Sequence, residues 1–139
     1  MLRLYSTACE YAIMALSNIK WVDFEKRFSV PALCRKPVKE SYARKAFQLL
    51  SQGGILEAVT GPGGGYKFTR HPDKISLYEV VQCIDGQECF DHCVLGLPQC
   101  NDHNGCPMHI KWKPLKQQIL QSLKNITLGE IIRLDEKKR

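Results

Sequence analysis

The chain has 139 residues, 44% hydrophobic and 24% charged, proportions ordinary for one globular domain carrying at most a short oligomerisation element. No apolar run approaches the roughly 20 residues that span a bilayer, and no basic-then-apolar leader opens the chain, so no membrane partner is expected and the expected location is cytoplasmic. The formal charge is +6 and unevenly spread: 12 Lys and Arg face 7 acids up to Val80, whereas 8 face 7 from Val81 onward. A polyanion, if one is bound, belongs to the first half.

Tyr11, Ala12, Ala15, Leu16 and Ile19 recur at helical spacing and predict a first helix over 6–19. Ser29-Val30-Pro31 reads as the start of a short second helix, with Ser29 as N-cap and Lys36-Pro37 closing it. A further helix is predicted from about Lys39 to Gln52, with Ala43, Ala46, Phe47 and Leu50 as its apolar stripe and Gly53-Gly54 as a left-handed stop. These two helices form a helix-turn-helix candidate. Two extended runs, Ile55–Thr60 and Tyr66–Thr69, flank Gly61-Pro62-Gly63-Gly64-Gly65, and Tyr66 and Phe68 alternate with polar residues. A hairpin directly after a helix-turn-helix is the layout of a winged helix. The expected fold is therefore mainly α with a small β-hairpin wing.

Ser76-Leu77-Tyr78-Glu79 is a capping box opening a helix that buries Leu77, Val80, Val81 and Ile84. Periodicity then vanishes until Gly105, which is longer than an unordered loop in a compact domain usually runs. A long helix is predicted from near Cys106-Pro107. Its apolar seam of Met108, Trp112, Leu115, Ile119 and Leu123 is narrow enough to be a dimer contact. Pro114 falls within it, costing about 3 kcal/mol unless it sits at a kink or in a first turn. Thr127-Leu128-Gly129-Glu130 caps a last short helix through Leu134. The chain divides accordingly into a winged helix-turn-helix over 1–84, a cysteine-rich loop over 85–105, and a dimerisation helix with a short final helix over 106–139.

Two sets of residues carry chemistry. Ser41, Tyr42, Arg44, Lys45 and Gln48 lie off the apolar stripe of the predicted recognition helix. Arg and Lys reach phosphates or guanine edges, and Gln pairs with adenine. In the wing, Gly63 and Gly64 carry no side-chain bulk that would keep the backbone from a phosphate or a minor groove, and Lys67 flanks them. A solvated helix face and a tight hairpin turn are the plainer readings of each feature taken alone. Helix-turn-helix, wing and basic bias together favour double-stranded DNA.

The second set is cysteine. Five of seven cysteines fall between Cys83 and Cys106, an odd total without a leader, which argues against a disulfide framework. Six residues separate Cys93 from Cys100 and five separate Cys100 from Cys106, while His109 follows three positions on. On a helix starting at Cys106, thiolate and imidazole share one face. Such donors suit an iron–sulfur cluster, zinc, or a metal-free thiol switch. Spacing alone leaves the three open, though zinc more often takes close pairs. Cys9, Cys34 and Cys83 read as structural thiols, and Cys89 is unassigned. No nucleophile–base pair is visible, so an enzyme is not expected; a zinc-bearing winged-helix adaptor for protein contacts is the alternative class.

The sequence resembles the Rrf2 family of winged-helix regulators over nearly its whole length, from Leu4 to about Leu134. The anchors are Tyr11-Ala12, Ser41-Tyr42, Gly61-Pro62-Gly63-Gly64-Gly65-Tyr66, Ile75-Ser76-Leu77, the Cys93/Cys100/Cys106 set with His109 and Trp112, and Asn125-Ile126-Thr127-Leu128-Gly129-Glu130. The resemblance implies a homodimer bridged by the long helix, each protomer reading half of a near-palindromic operator. It further implies an iron–sulfur cluster, [2Fe–2S] in preference to [4Fe–4S], held by Cys93, Cys100, Cys106 and His109, and a repressor sensing redox state, nitric oxide or iron–sulfur supply. In the nitric-oxide-sensing branch a first-helix carboxylate replaces the histidine, and Glu10 holds that position here. The chain departs from the pattern in its longer Cys93–Cys100 spacing, in Thr60 where the family commonly has arginine, in Arg44 where an acid is expected, and in Pro114.

Overall fold

The computed structural model describes residues 4–86 and 107–137. Helix α1 (Thr7–Ser17) starts at Ser6, whose Oγ accepts a hydrogen bond from the Cys9 amide at 3.1 Å. It buries Cys9, Ala12, Ala15 and Leu16, and the two alanines let helix α3 pack closely against it. Helix α2 (Val30–Leu33) is one turn, with Pro31 near its start as predicted. It ends at Leu33, earlier than expected, and Ser29 makes no side-chain cap. Helix α3 (Glu40–Gln52) buries Ala43, Ala46, Phe47 and Leu50, the predicted stripe. Only the second glycine of the stop is left-handed: Gly54 has φ +82°, whereas Gly53 stays right-handed at φ −81°.

Strands β1 (Leu56–Val59) and β2 (Gly65–Phe68) pair antiparallel from Leu56 opposite Phe68 to Val59 opposite Gly65. Phe28, in the segment before α2, adds an isolated bridge to Tyr66. Its amide donates to the Tyr66 carbonyl at 2.7 Å and its carbonyl accepts from the Tyr66 amide at 2.8 Å. Aromatic rings complete this root. Phe28 lies 5.5 Å from Phe68 and 6.1 Å from Phe47, and Phe47 lies 5.8 Å from Tyr66, ring centre to ring centre. Offset and edge-on contacts of this kind add stabilisation beyond burial. The wing is thus fixed to α3 through a shared aromatic cluster.

Helix α4 (Leu77–Asp85) opens with the predicted capping box, both halves formed: Ser76 Oγ accepts from the Glu79 amide, and Glu79 accepts from the Ser76 amide. Burial works against ionisation of Glu79, but hydrogen bonds from Arg70 and Ser76 outweigh it and hold its carboxyl below the ordinary value. A depressed carboxylate stabilises the fold above its unfolded pKa of about 4.3, and that contribution disappears as pH falls through the lower folded value. Glu79→Gln is therefore expected to lower the urea midpoint near pH 7, with the difference from the parent closing below about pH 4. A gap that persists at acid pH would contradict this origin.

Helix α5 (His109–Asn125) starts three residues later than predicted and runs on through Pro114, its sixth residue. Pro114 has no amide to offer the Ile110 carbonyl, one turn earlier. The predicted seam divides in two. Leu123 is buried in the protomer and Ile119 packs against its core, whereas Met108 and Leu115 stand 39% and 53% exposed.

Helix α6 (Leu128–Lys137) runs three residues beyond the predicted end. Its entry is stitched to the start of α4: Leu77 and Leu128 amides donate to Ile126 and Ile75 carbonyls, each at 2.9 Å. The Thr127 half of the second capping box is present, with the Glu130 amide donating to its hydroxyl. Gly129 is buried where a Cβ would stand 1.9 Å from Asp73 Oδ1. Arg133 pairs with that same carboxylate at 2.8 Å and lies over the Trp21 ring, whose backbone amide donates to Glu136. No helix among the described residues is long and apolar enough to cross a membrane.

Candidate nucleic-acid interface

Helix α3 sorts its residues as an amphipathic helix must when one face is buried. Ser41, Tyr42, Arg44, Lys45 and Gln48 are all exposed, opposite the buried stripe. Tyr42 is steadied by an edge-on contact with Tyr11 of α1 at 5.7 Å. Arg44 pairs with Glu40 one turn earlier, so it must share or release that carboxylate to reach a phosphate. Lys45 and Gln48 share one face of the helix, three residues apart.

At the wing, Gly63 has φ +71°, a conformation that L side chains rarely adopt. Gly64 is required for a different reason: a Cβ there would stand 2.4 Å from the Val59 carbonyl across the hairpin. Lys67 is exposed on β2, 4.0 Å from Glu57 on β1. Sequence reasoning missed Arg27, whose Nη2 stands 3.2 Å from the position of a Cβ on Gly63. No local pattern marks it, because the approach depends on Phe28 joining the hairpin.

Of the predicted cluster ligands, Cys93, Cys100 and Cys106 lie outside the described residues, as does Cys89. His109 is described and buried, 9% exposed, at the first position of α5. One turn on, Trp112 has its indole nitrogen buried with no hydrogen-bond partner among the described residues. A buried N–H calls for an acceptor, so the donor chemistry beside His109 fits an electron-rich group such as a thiolate or sulfide. Glu10 lies in the first turn of α1, which is tied to the end of α4: Ser6 donates from both its amide and its hydroxyl to Asp85. Among the described residues no three metal-ligating side chains converge. Cys9, Cys34 and Cys83 form no disulfide among the described residues, and burial pushes the Cys34 and Cys83 thiols up, which disfavours the reactive thiolate.

Helix α3 packed behind α2, with the wing anchored to it, defines a winged-helix fold. The chain belongs to the Rrf2 family, whose model, described as an iron-dependent transcriptional regulator, matches residues 5–134. It is 31% identical over 102 residues to the HTH-type transcriptional regulator IscR of Klebsiella pneumoniae, covering 73% of this chain and 62% of that one. Among solved structures, IscR of T. potens superposes with a TM-score of 0.71 at 21% identity, covering 99% of this chain and 91% of its own. CymR, the global cysteine regulator of B. subtilis, superposes with a TM-score of 0.73 at 18% identity, covering 96% and 98%. The family model and the Klebsiella relative are both described as transcriptional regulators.

Proposed function

We propose that the chain is a homodimeric DNA-binding repressor whose grip on its operator depends on an iron–sulfur cluster held by Cys93, Cys100, Cys106 and His109. The observation that carries the DNA reading is the solvent-facing row of α3 set beside a wing locked to it by the Phe28–Phe47–Tyr66–Phe68 cluster. Rigid attachment matters, because a helix in the major groove and a wing on the flanking backbone must hold one relative position. Tyr42, Arg44, Lys45 and Gln48 would face base edges and phosphates, with Ser41 at the helix entry. Gly63, Gly64 and Lys67 would meet the backbone or the minor groove.

The cluster reading is supported by the buried His109, by the Trp112 N–H on the same helical face, which has no hydrogen-bond partner among the described residues, and by the family's description as iron-dependent. When bound, such a cluster supplies a centre that loses or gains electrons and reacts with oxidants and nitric oxide. The chain's own residues would transmit its presence. His109 would fix the start of α5, and the Asp85–Ser6 hydrogen bonds would carry the loop entry's position to α1, which packs directly on α3. The exposed Met108, Ile110 and Leu115 at that end of α5 would be covered by the second protomer.

Protein purified without oxygen is expected to absorb between roughly 320 and 600 nm and to contain iron and sulfide, with both lost in Cys106→Ala. His109→Ala and Glu10→Gln then separate the two fourth-ligand assignments by which one alters the spectrum. A colourless protein holding zinc would move the loop to a structural-metal role. A colourless protein with neither, even after reconstitution, would leave a thiol switch or an unliganded DNA-binding dimer.

A further inference from the structure

Between the α1–α2 connector, α2 and the wing lies a cavity of about 440 Å3. Lys20, Lys26, Arg27 and Arg35 contribute cationic side chains to its walls, Asp23 the one carboxylate, and the Gly63-Gly64 backbone closes one side. Asp23 is already engaged, 3.0 Å from Lys26, so the lining stays strongly positive. Arg27 is exposed and makes no ion pair among the described residues, yet its guanidinium is seated against the wing tip at Gly63. Its neighbour Phe28 is the residue bridged to Tyr66 at 2.7 and 2.8 Å, so the backbone that carries Arg27 is held rigidly to the hairpin. Arg35 approaches the same space from the turn between α2 and α3. One basic cleft therefore joins the helix-turn-helix to the wing.

We infer that this cleft is a phosphodiester-binding site, with Arg27 as its principal ligand, gripping the DNA strand that runs past α2 and the tip of the wing. The inference rests on the DNA-binding reading above and adds to it a contact outside both the recognition helix and the hairpin. Guanidinium suits a phosphodiester because it is always charged and its planar fork meets two phosphate oxygens at once. Two bare glycines beside it let a strand come close without a side-chain collision. A phosphate ligand carries no sequence information, so its loss must weaken all duplexes alike.

The test is a salt-graded binding titration on a mixed-sequence duplex of roughly 30 base pairs, long enough for two half-sites one helical turn apart. Parent, Arg27→Ala and Arg27→Lys are compared, each checked for an unchanged thermal unfolding midpoint. Arg27→Ala is expected to bind about tenfold more weakly and to lose about 0.9 from the slope of log affinity against log salt for each Arg27 phosphate contact in the bound complex. Arg27→Lys should keep the slope and recover part of the affinity. The proportional loss should be the same on A·T-rich and G·C-rich duplexes. An unchanged slope in Arg27→Ala, with the parent binding normally, would overturn the assignment while leaving DNA binding intact. A loss confined to A·T-rich duplexes would overturn it in favour of minor-groove readout. A parent that shows no salt-dependent binding would remove the DNA reading, and this site with it.

Discussion

Gly65→Ala is expected to destabilise the protein by about 3 kcal/mol, near the upper end for overpacking a well-packed site. A Cβ at Gly65 would stand 2.3 Å from the Phe28 carbonyl oxygen and 3.0 Å from its carbon. Backbone atoms cannot swing aside as a side-chain tip can. Relief requires pulling the Phe28 segment off Tyr66, which breaks both bridge hydrogen bonds and opens the aromatic cluster beneath. Urea unfolding should show a lower midpoint with an unchanged m-value. Gly61→Ala is the control: its φ of +98° imposes strain, but beyond its chain neighbours no described atom lies within 4 Å of where its Cβ would stand. It should cost only about 1 kcal/mol. Equal losses at the two positions would show that backbone strain, and not the close approach of Phe28, governs the wing.

The paired change Lys45→Ala and Gln48→Ala should weaken binding to the preferred duplex by about 10- to 100-fold, since one well-placed base contact is worth about 1–3 kcal/mol of discrimination. Both side chains are exposed and lie away from the buried stripe of α3, so the fold should be untouched. Lys45 and Gln48 are expected to fail differently. Lys45→Ala alone should weaken every duplex and lower the salt slope, whereas Gln48→Ala alone should lose preference at one or two base positions. Competition titrations with single-base variants of the preferred duplex measure both. No loss in the double variant would mean that α3 does not face DNA.

Local chemistry makes much of this legible in the sequence. The α3 stripe, the Ser76–Glu79 capping box and the alternating Tyr66 and Phe68 each depend on residues a few positions apart. Tertiary contact decides what local pattern cannot. Gly53 reads as part of a left-handed stop, yet it stays right-handed, and a Cβ there would stand 2.4 Å from Cys83 Sγ on α4. The α5 seam reads as one interface, but folding diverts Leu123 and Ile119 into the protomer's own core and leaves Met108 and Leu115 outside. Arg27 reaches the wing because Phe28 pairs with Tyr66, 38 positions along the chain. The α6 clasp of Arg133, Asp73 and Trp21 likewise joins three segments with no shared motif. The proposed cluster ligands come from spacing and family resemblance, and of them His109 alone lies within the described residues.

Selection of duplexes from a random-sequence pool by the anaerobically purified protein tests the central claim most directly. Enrichment of a near-palindromic site is expected, with half-sites about one helical turn, or a multiple of it, apart, bound with an affinity that falls steeply as salt rises. Failure to enrich any sequence, with an affinity indifferent to salt, would contradict it and return the exposed face of α3 to an ordinary solvated surface.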